Sequence, residues 1–238
     1  MSENKSISCY KKQGSGIFVM IGLVALGLFI SKGLTRIANQ EQYVTVKGLA
    51  EREVMANKVV WPLPYKSVSN DMQELYDGIE KNKNVILSFL KSGGITEDEI
   101  IVSAPAVTDR LAQSYVPDNV KFRYQSEAVI TVISPQVEKV IELMGKQIEL
   151  MKDGVIISNE YNYQTQFEYT ALNDIKPEMI EEATRNARAV AQKFAEDSGS
   201  KLGNIKQASQ GQFSISSDET TPQIKNIRVV TTIKYALE

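Results

Sequence analysis

The chain has no histidine. That excludes a Ser-His-Asp or Cys-His catalytic set and any histidine-bound zinc. Its single cysteine, Cys9, precedes a long hydrophobic run, so the remainder carries neither a disulfide nor a thiol nucleophile. What is left for chemistry is carboxylates, lysine, tyrosine or an oxygen-ligated metal, and no metal-ligand cluster stands out along the 238 residues. A basic surplus is also missing. Five of the 27 basic residues (Lys5, Lys11, Lys12, Lys32, Arg36) and one of the 29 acidic ones (Glu3) precede residue 39, leaving 22 against 28 beyond it. A mildly acidic body lacks the electrostatic footprint of nucleic-acid binding.

What is present begins with "GSGIFVMIGLVALGLFIS", uncharged between Lys12 and Lys32 and close to the roughly 20 residues that cross a bilayer as a helix. It is apolar on every side, unlike a buried amphipathic helix. Lys11 and Lys12 favour a cytoplasmic N-terminus and export of the rest of the chain. The adjoining "KGLTRIANQ" lacks the small-residue pattern of a cleavage site, so an uncleaved signal-anchor is the first reading and a cleaved, soluble periplasmic product the alternative. The division is a cytoplasmic tail at 1–12, a transmembrane segment at 13–31, a linker at 32–41 and an extracytoplasmic domain at 42–238.

Within that domain, short β-rich runs alternate with helical ones. "YVTVKGLAEREVMA" and "KVVWPLPYKSVS" read as strands, with Pro62 and Pro64 marking an edge or bulge. Leu75, Ile79, Val85, Ile86, Phe89 and Leu90 have helical spacing, stopped by Gly93-Gly94. Thr96 and Glu99 have capping-box spacing. "VKFRYQSEAVITVIS" is a strand, and Ser134-Pro135 starts a helix with Val137, Val140, Ile141, Met144, Ile148 and Met151 on one face. Asp153-Gly154 turns the chain into "VIISNEYNYQTQFEYTAL", which alternates as a strand. A helix with Ala183, Ala187, Ala191 and Ala195 at every fourth position ends at Ser198-Gly199, and two further strands close the chain. Ile180, Val190 and Phe194 are expected to add bulk on the side of the alanine row. The class is α+β: mostly antiparallel strands with helices on one face.

Candidate sites are few. Tyr161, Tyr163, Phe167 and Tyr169 form an aromatic stripe able to stack sugars or a flat ligand, although a strand face covered by a helix gives the same pattern. Trp61 is a candidate partner anchor, with local packing as its plain alternative. The acid pairs Asp98-Glu99 and Glu181-Glu182 diverge by about 100° on a helix and fit first-turn acids better than a catalytic dyad. "SGSKLG" comes after a helix, whereas a phosphate loop precedes one.

"VTVKGLAEREVMANKVVWPL" resembles the opening strand pair of the bacterial SIMPL-domain family, matching its V-x-V-x-G at Val44, Val46 and Gly48. Ala56-Asn57 stand where Pro-Asp is usual. "AxxNARAVAQKFAxxSGxKLGxI" is similar to that family's alanine-rich helix, glycine stop and strand entry. The resemblance covers about residues 42–238. It implies an envelope protein of the periplasmic immunogenic type, tending to assemble into homo-oligomeric rings or channel-like particles, with some members linked to oxidative-stress defence. It supplies no catalytic residues and no cofactor. The expected protein is a non-enzymatic, membrane-anchored, self-assembling envelope factor. A periplasmic ligand-binding module using the aromatic stripe is the alternative.

Overall fold

A computed structural model describes residues 11–38, 42–113 and 119–238, with α1 side chains described at 16 and 18–31. The tail through residue 10, Cys9 included, and residues 39–41 of the linker lie outside the described residues. The fold is α+β with antiparallel sheets, as the sequence pattern predicts. α1 (Lys11–Ala38) carries on as one helix through much of the stretch expected as linker. Among the residues whose side chains are described, no helix presents a run long and apolar enough to cross a membrane. In α1 those residues are only 16 and 18–31.

The chain forms two compact units. Among the described residues, one takes in those up to 48, 183–211 and 231–238; the other takes in those between 49 and 182 and 212–230. β1 (Tyr43–Met55), α4 (Leu172–Asp197) and β9 (Ile224–Leu237) contribute to both.

In the larger unit β2 (Lys58–Ser69) and β5 (Tyr124–Ser134) pair antiparallel from Val59 opposite Ser134 to Ser69 opposite Tyr124. Alternation sends Val59, Trp61, Leu63 and Tyr65 to one face, together with Ala128, Ile130 and Val132 of β5. α2 (Met72–Ser92) covers that face with Leu75, Ile79, Ile86 and Leu90 at helical spacing. Asp71 caps the helix by accepting the N–H groups of Gln73 and Glu74. α3 (Val137–Lys146) adds Val137, Val140 and Leu143. Ser134 Oγ accepts the Gln136 N–H at 3.0 Å, so this helix starts two residues after the expected Pro135.

Pro62 and Pro64 sit in a strand paired along its length on one side only. β6 (Gln166–Glu168) meets just Lys58–Val60 on the other. Pro64 O accepts the Ser158 N–H at 2.8 Å, so that edge of the residue points away from β5, and Pro62 two residues earlier points the same way. The missing N–H groups therefore cost no ladder bond. β3 (Ile100–Val102) and β4 (Ala106–Asp109) pair in turn with β5, interrupted at Pro105, a break that blunts this sheet edge.

The smaller unit packs α4 against β1 and β9, with β7 (Leu202–Gln210) pairing to β9. The short strand β8 (Ser214–Ser216) pairs with the part of β9 that belongs to the larger unit. All four alanines of the row are fully buried. The reason is close approach: a Cβ on Gly48 would penetrate the Ala183 carbonyl oxygen and lie 2.5 Å from Ala187 N. Glycine on the strand and alanine on the helix bring the two backbones together. Of the bulk expected alongside, Ile180 is half-buried, whereas Val190 and Phe194 are 42% and 56% exposed. The step of four keeps the alanines, with Met179 one step earlier, on the buried side and leaves positions 190 and 194 outside it.

Candidate functional site

Trp61 is 2% exposed and packs within the larger unit's core, so it is a packing residue and presents nothing to a partner in this conformation. The aromatic stripe is not one strand. Residues 161–163 form a 3-10 turn, and only Gln166–Glu168 pair as β6. Turn formation separates the aromatics: Tyr161 is 87% exposed, Phe167 packs on the core, and Tyr163 and Tyr169 are half-buried. Alternation survives only from Tyr163 to Phe167, and the extended neighbour needed to continue it is limited to the three β6 pairs with β2.

Tyr163 belongs to a polar cluster built by strand register. Lys66 and Glu127 are direct cross-strand partners on β2 and β5, with Nζ 3.9 Å from the carboxylate. Lys66 also bonds Glu160. The hydrogen bond Tyr163 donates to Glu127 pushes its phenol above the ordinary range, and the bond to Glu160 does the same for the Lys66 ammonium. Both therefore stay protonated at neutral pH. The cluster satisfies itself.

A second polar centre is Glu99, 9% exposed. The expected capping box forms, with the Thr96 N–H and hydroxyl both donating to Oε2 at 2.9 and 3.0 Å. Oε1 accepts from Ser134 Oγ at 2.6 Å and Gln136 Nε2 at 3.3 Å. Burial pushes the carboxyl up, and the hydrogen bonds from Ser134, Thr96 and Gln136 outweigh it, leaving Glu99 below the usual carboxylate value. The residue ties the start of β3 to the junction of β5 and α3. Its role is to hold the fold.

Proton chemistry at neutral pH needs groups shifted toward pH 7. Every resolved shift goes the other way. Arg52, Lys66, Arg123 and Lys146 are raised; Glu97, Glu99, Asp109, Glu142 and Asp218 are lowered; Tyr65 and Tyr163 are raised. Among the described residues no group of three or more His, Cys, Asp or Glu could hold a metal.

Apolar surface offers more. A groove of about 310 Å³ is lined by Met144, Ile148, Met151, Val155, Ile156 and Ile157 among others. Ile148, Met151 and Ile156 are 60–70% exposed. Periodicity alone places Ile148 and Met151 on the buried face of a continued α3. The helix instead tightens to 3-10 over Gln147–Asp153, which rotates them outward and puts Leu150 in the core. In α1, ten large apolar residues between Phe18 and Ile30 are 52–77% exposed.

A family model described as "SIMPL: Protein of unknown function (DUF541)" matches residues 44–232, most of the chain. No curated protein matches the sequence.

Proposed function

Starting from the fact that the chain belongs to the SIMPL family, we propose that it is a non-enzymatic envelope protein. α1 anchors it in the cytoplasmic membrane, with the N-terminus inside and residues 42–238 on the periplasmic side, where it self-assembles as a scaffold. The observation that carries this reading is α1. The uncharged stretch between Lys12 and Lys32 spans about 28 Å as a helix, close to the hydrocarbon thickness. Its ten exposed apolar side chains would each gain roughly 1.5–3 kcal/mol on leaving water. Self-association is supported by the aliphatic groove around Ile148, Met151 and Ile156, since exposed apolar clusters mark interaction surfaces. The non-enzymatic reading is supported by the resolved pKa shifts, each of which leads away from neutrality.

Membranes from cells producing the full chain provide the test. The intact mass should be retained after alkaline carbonate washing, and added protease should degrade the body only when it reaches the periplasmic side. Release into the soluble fraction, or a mass shortened at the hydrophobic run, would remove the anchor. Light scattering of the detergent-solubilised chain should give a multiple of 26.5 kDa after detergent correction. A monomer at every concentration would remove the assembly.

A further inference from the structure

β1 begins at Tyr43, five residues after α1 ends at Ala38. Those five steps reach at most about 18 Å even when fully extended. α1 runs seven residues beyond Ser31, the last of its uncharged stretch, a rise of about 10 Å. The polar layer on each side of a bilayer is about 5–8 Å thick. If α1 crosses the membrane, Ala38 lies at or just above the headgroups. The end of the smaller unit's sheet that carries Tyr43 is then tethered next to them.

The residues at that end suit such a position. Val46 and Gly48 face inward, so Tyr43, Thr45 and Lys47 point to the opposite, exposed face of the strand. The last residues of β9 come alongside, with the Leu237 N–H donating to Gln42 O at 2.8 Å. On β9, Ile233 and Tyr235 are buried, and Lys234 between them lies on the exposed face, its Nζ 3.4 Å from the centroid of the Tyr43 ring. Tyr43 is 56% exposed. Among the described residues no carboxylate forms an ion pair with Lys47 or Lys234, and Glu238 at the strand end is the acid closest along β9. Tyr43 with Lys47 and Lys234, neither lysine in an ion pair among the described residues, and the exposed Leu49 farther along the same face of β1 make up the composition of a membrane–water interface: the ring sits at the boundary and the ammonium groups meet phosphate.

We infer that this face, Tyr43, Thr45 and Lys47 of β1 with Lys234 of β9, rests on the headgroup layer of the membrane that holds α1 and orients the smaller unit there. The inference depends on α1 being a membrane anchor. The tether length argues for the occupant: the short connection from Ala38 to Tyr43 keeps this face within about 18 Å of the membrane that holds α1. Lys47 and Lys234 contact lipid phosphate, so the contact strengthens with anionic lipid and weakens with salt.

The full chain with Cys9→Ser, carrying either Thr45→Cys or Leu23→Cys, is labelled with an environment-sensitive nitroxide and placed in nanodiscs of phosphatidylethanolamine with phosphatidylglycerol, or of phosphatidylcholine alone. The label at position 23 should be reached by oxygen and shielded from a water-soluble relaxation agent. The label at position 45 should lose much of its access to that agent in anionic nanodiscs, lose less in phosphatidylcholine, and regain access when Lys47→Glu and Lys234→Glu are added. A position-23 label exposed to water overturns the anchor and this inference together. A buried position-23 label with a fully water-accessible position-45 label overturns this inference alone. So does a position-45 label shielded equally in detergent micelles and in both nanodiscs, which would mean that another copy of the chain covers the face.

Discussion

The two compact units reach dense packing by opposite means. The larger unit fills its interior with Trp61, Leu63, Tyr65, Leu75, Ile86, Leu90 and Ile130, whose bulk holds α2 and α3 away from the β2–β5 face. The smaller unit brings backbones into near contact, with Gly48 beneath Ala183 and Ala187, and a small cluster of Val46, Ala187, Ala191, Ile233 and Tyr235. A core of large side chains is injured by removal and a core of small ones by addition. The same quantity, space between elements, is set by side-chain volume in one unit and by its absence in the other.

Substitutions can break or sharpen this contrast. The largest effect is expected from Trp61→Ala, which should cost about 3–5 kcal/mol in denaturant unfolding by leaving a cavity between sheet and helices. An unfolding midpoint like that of the parent chain would show that the indole is not the core residue its burial implies. Next is Gly48→Ala, a single added methyl, expected to cost about 3 kcal/mol because backbone atoms of α4 have to move. Should Gly48→Ala be tolerated while Trp61→Ala is not, β1 and α4 lie farther apart than a near backbone contact. Ala191→Leu comes third at about 1–3 kcal/mol, since the new side chain has no space at a fully buried position.

Glu99→Gln probes the polar exception in the larger unit and should cost about 1–2 kcal/mol at neutral pH, where the charged hydrogen bonds are formed. Because the folded carboxyl lies below its ordinary value, that stability is complete above the ordinary carboxylate pKa and is lost as pH falls through the lower folded value. The gap between parent and variant should therefore shrink in acid. A gap that grows with acidification would reverse the assigned shift. The smallest effect is expected for Phe194→Ala, within about 0.5 kcal/mol of the parent, as the ring is 56% exposed. On α4, then, removing the largest apolar side chain should matter less than enlarging one of the smallest.

Local features of the fold are legible in the sequence, and the exceptions have a common cause. The α2 face, the Gly93-Gly94 stop and the Thr96–Glu99 box depend on residues within a few positions of one another, and all form as their spacing predicts. The alanine row is the packing surface its spacing implies, yet two of the three side chains expected beside it, Val190 and Phe194, point outward, while Ile180 is half-buried. Ile148 and Met151 fit a continued helix by spacing alone, and the change to 3-10 geometry reverses their burial. The aromatic run at 161–169 alternates like a strand, but β2 offers a pairing partner to only three of its residues. Of the candidate site residues, Trp61 is core and the tyrosines are dispersed. The Lys66–Glu127 and Tyr43–Lys234 pairs are invisible in the sequence because a cross-strand register relates residues far apart in the chain.

The sequence by itself determined the α+β class, the SIMPL family, the uncharged N-terminal run, and the absence of histidine and of a body cysteine. Each rests on composition, short-range periodicity or residues a few positions apart, where the chain's own connectivity supplies the geometry. Only the tertiary structure decided that Trp61 lies inside, that Gly48 admits α4 to near backbone contact, and that Tyr43 and Lys234 share one exposed face. Those outcomes depend on which distant strand pairs with which, and in what register, and a one-residue slip in register sends every side chain of a strand to the other face.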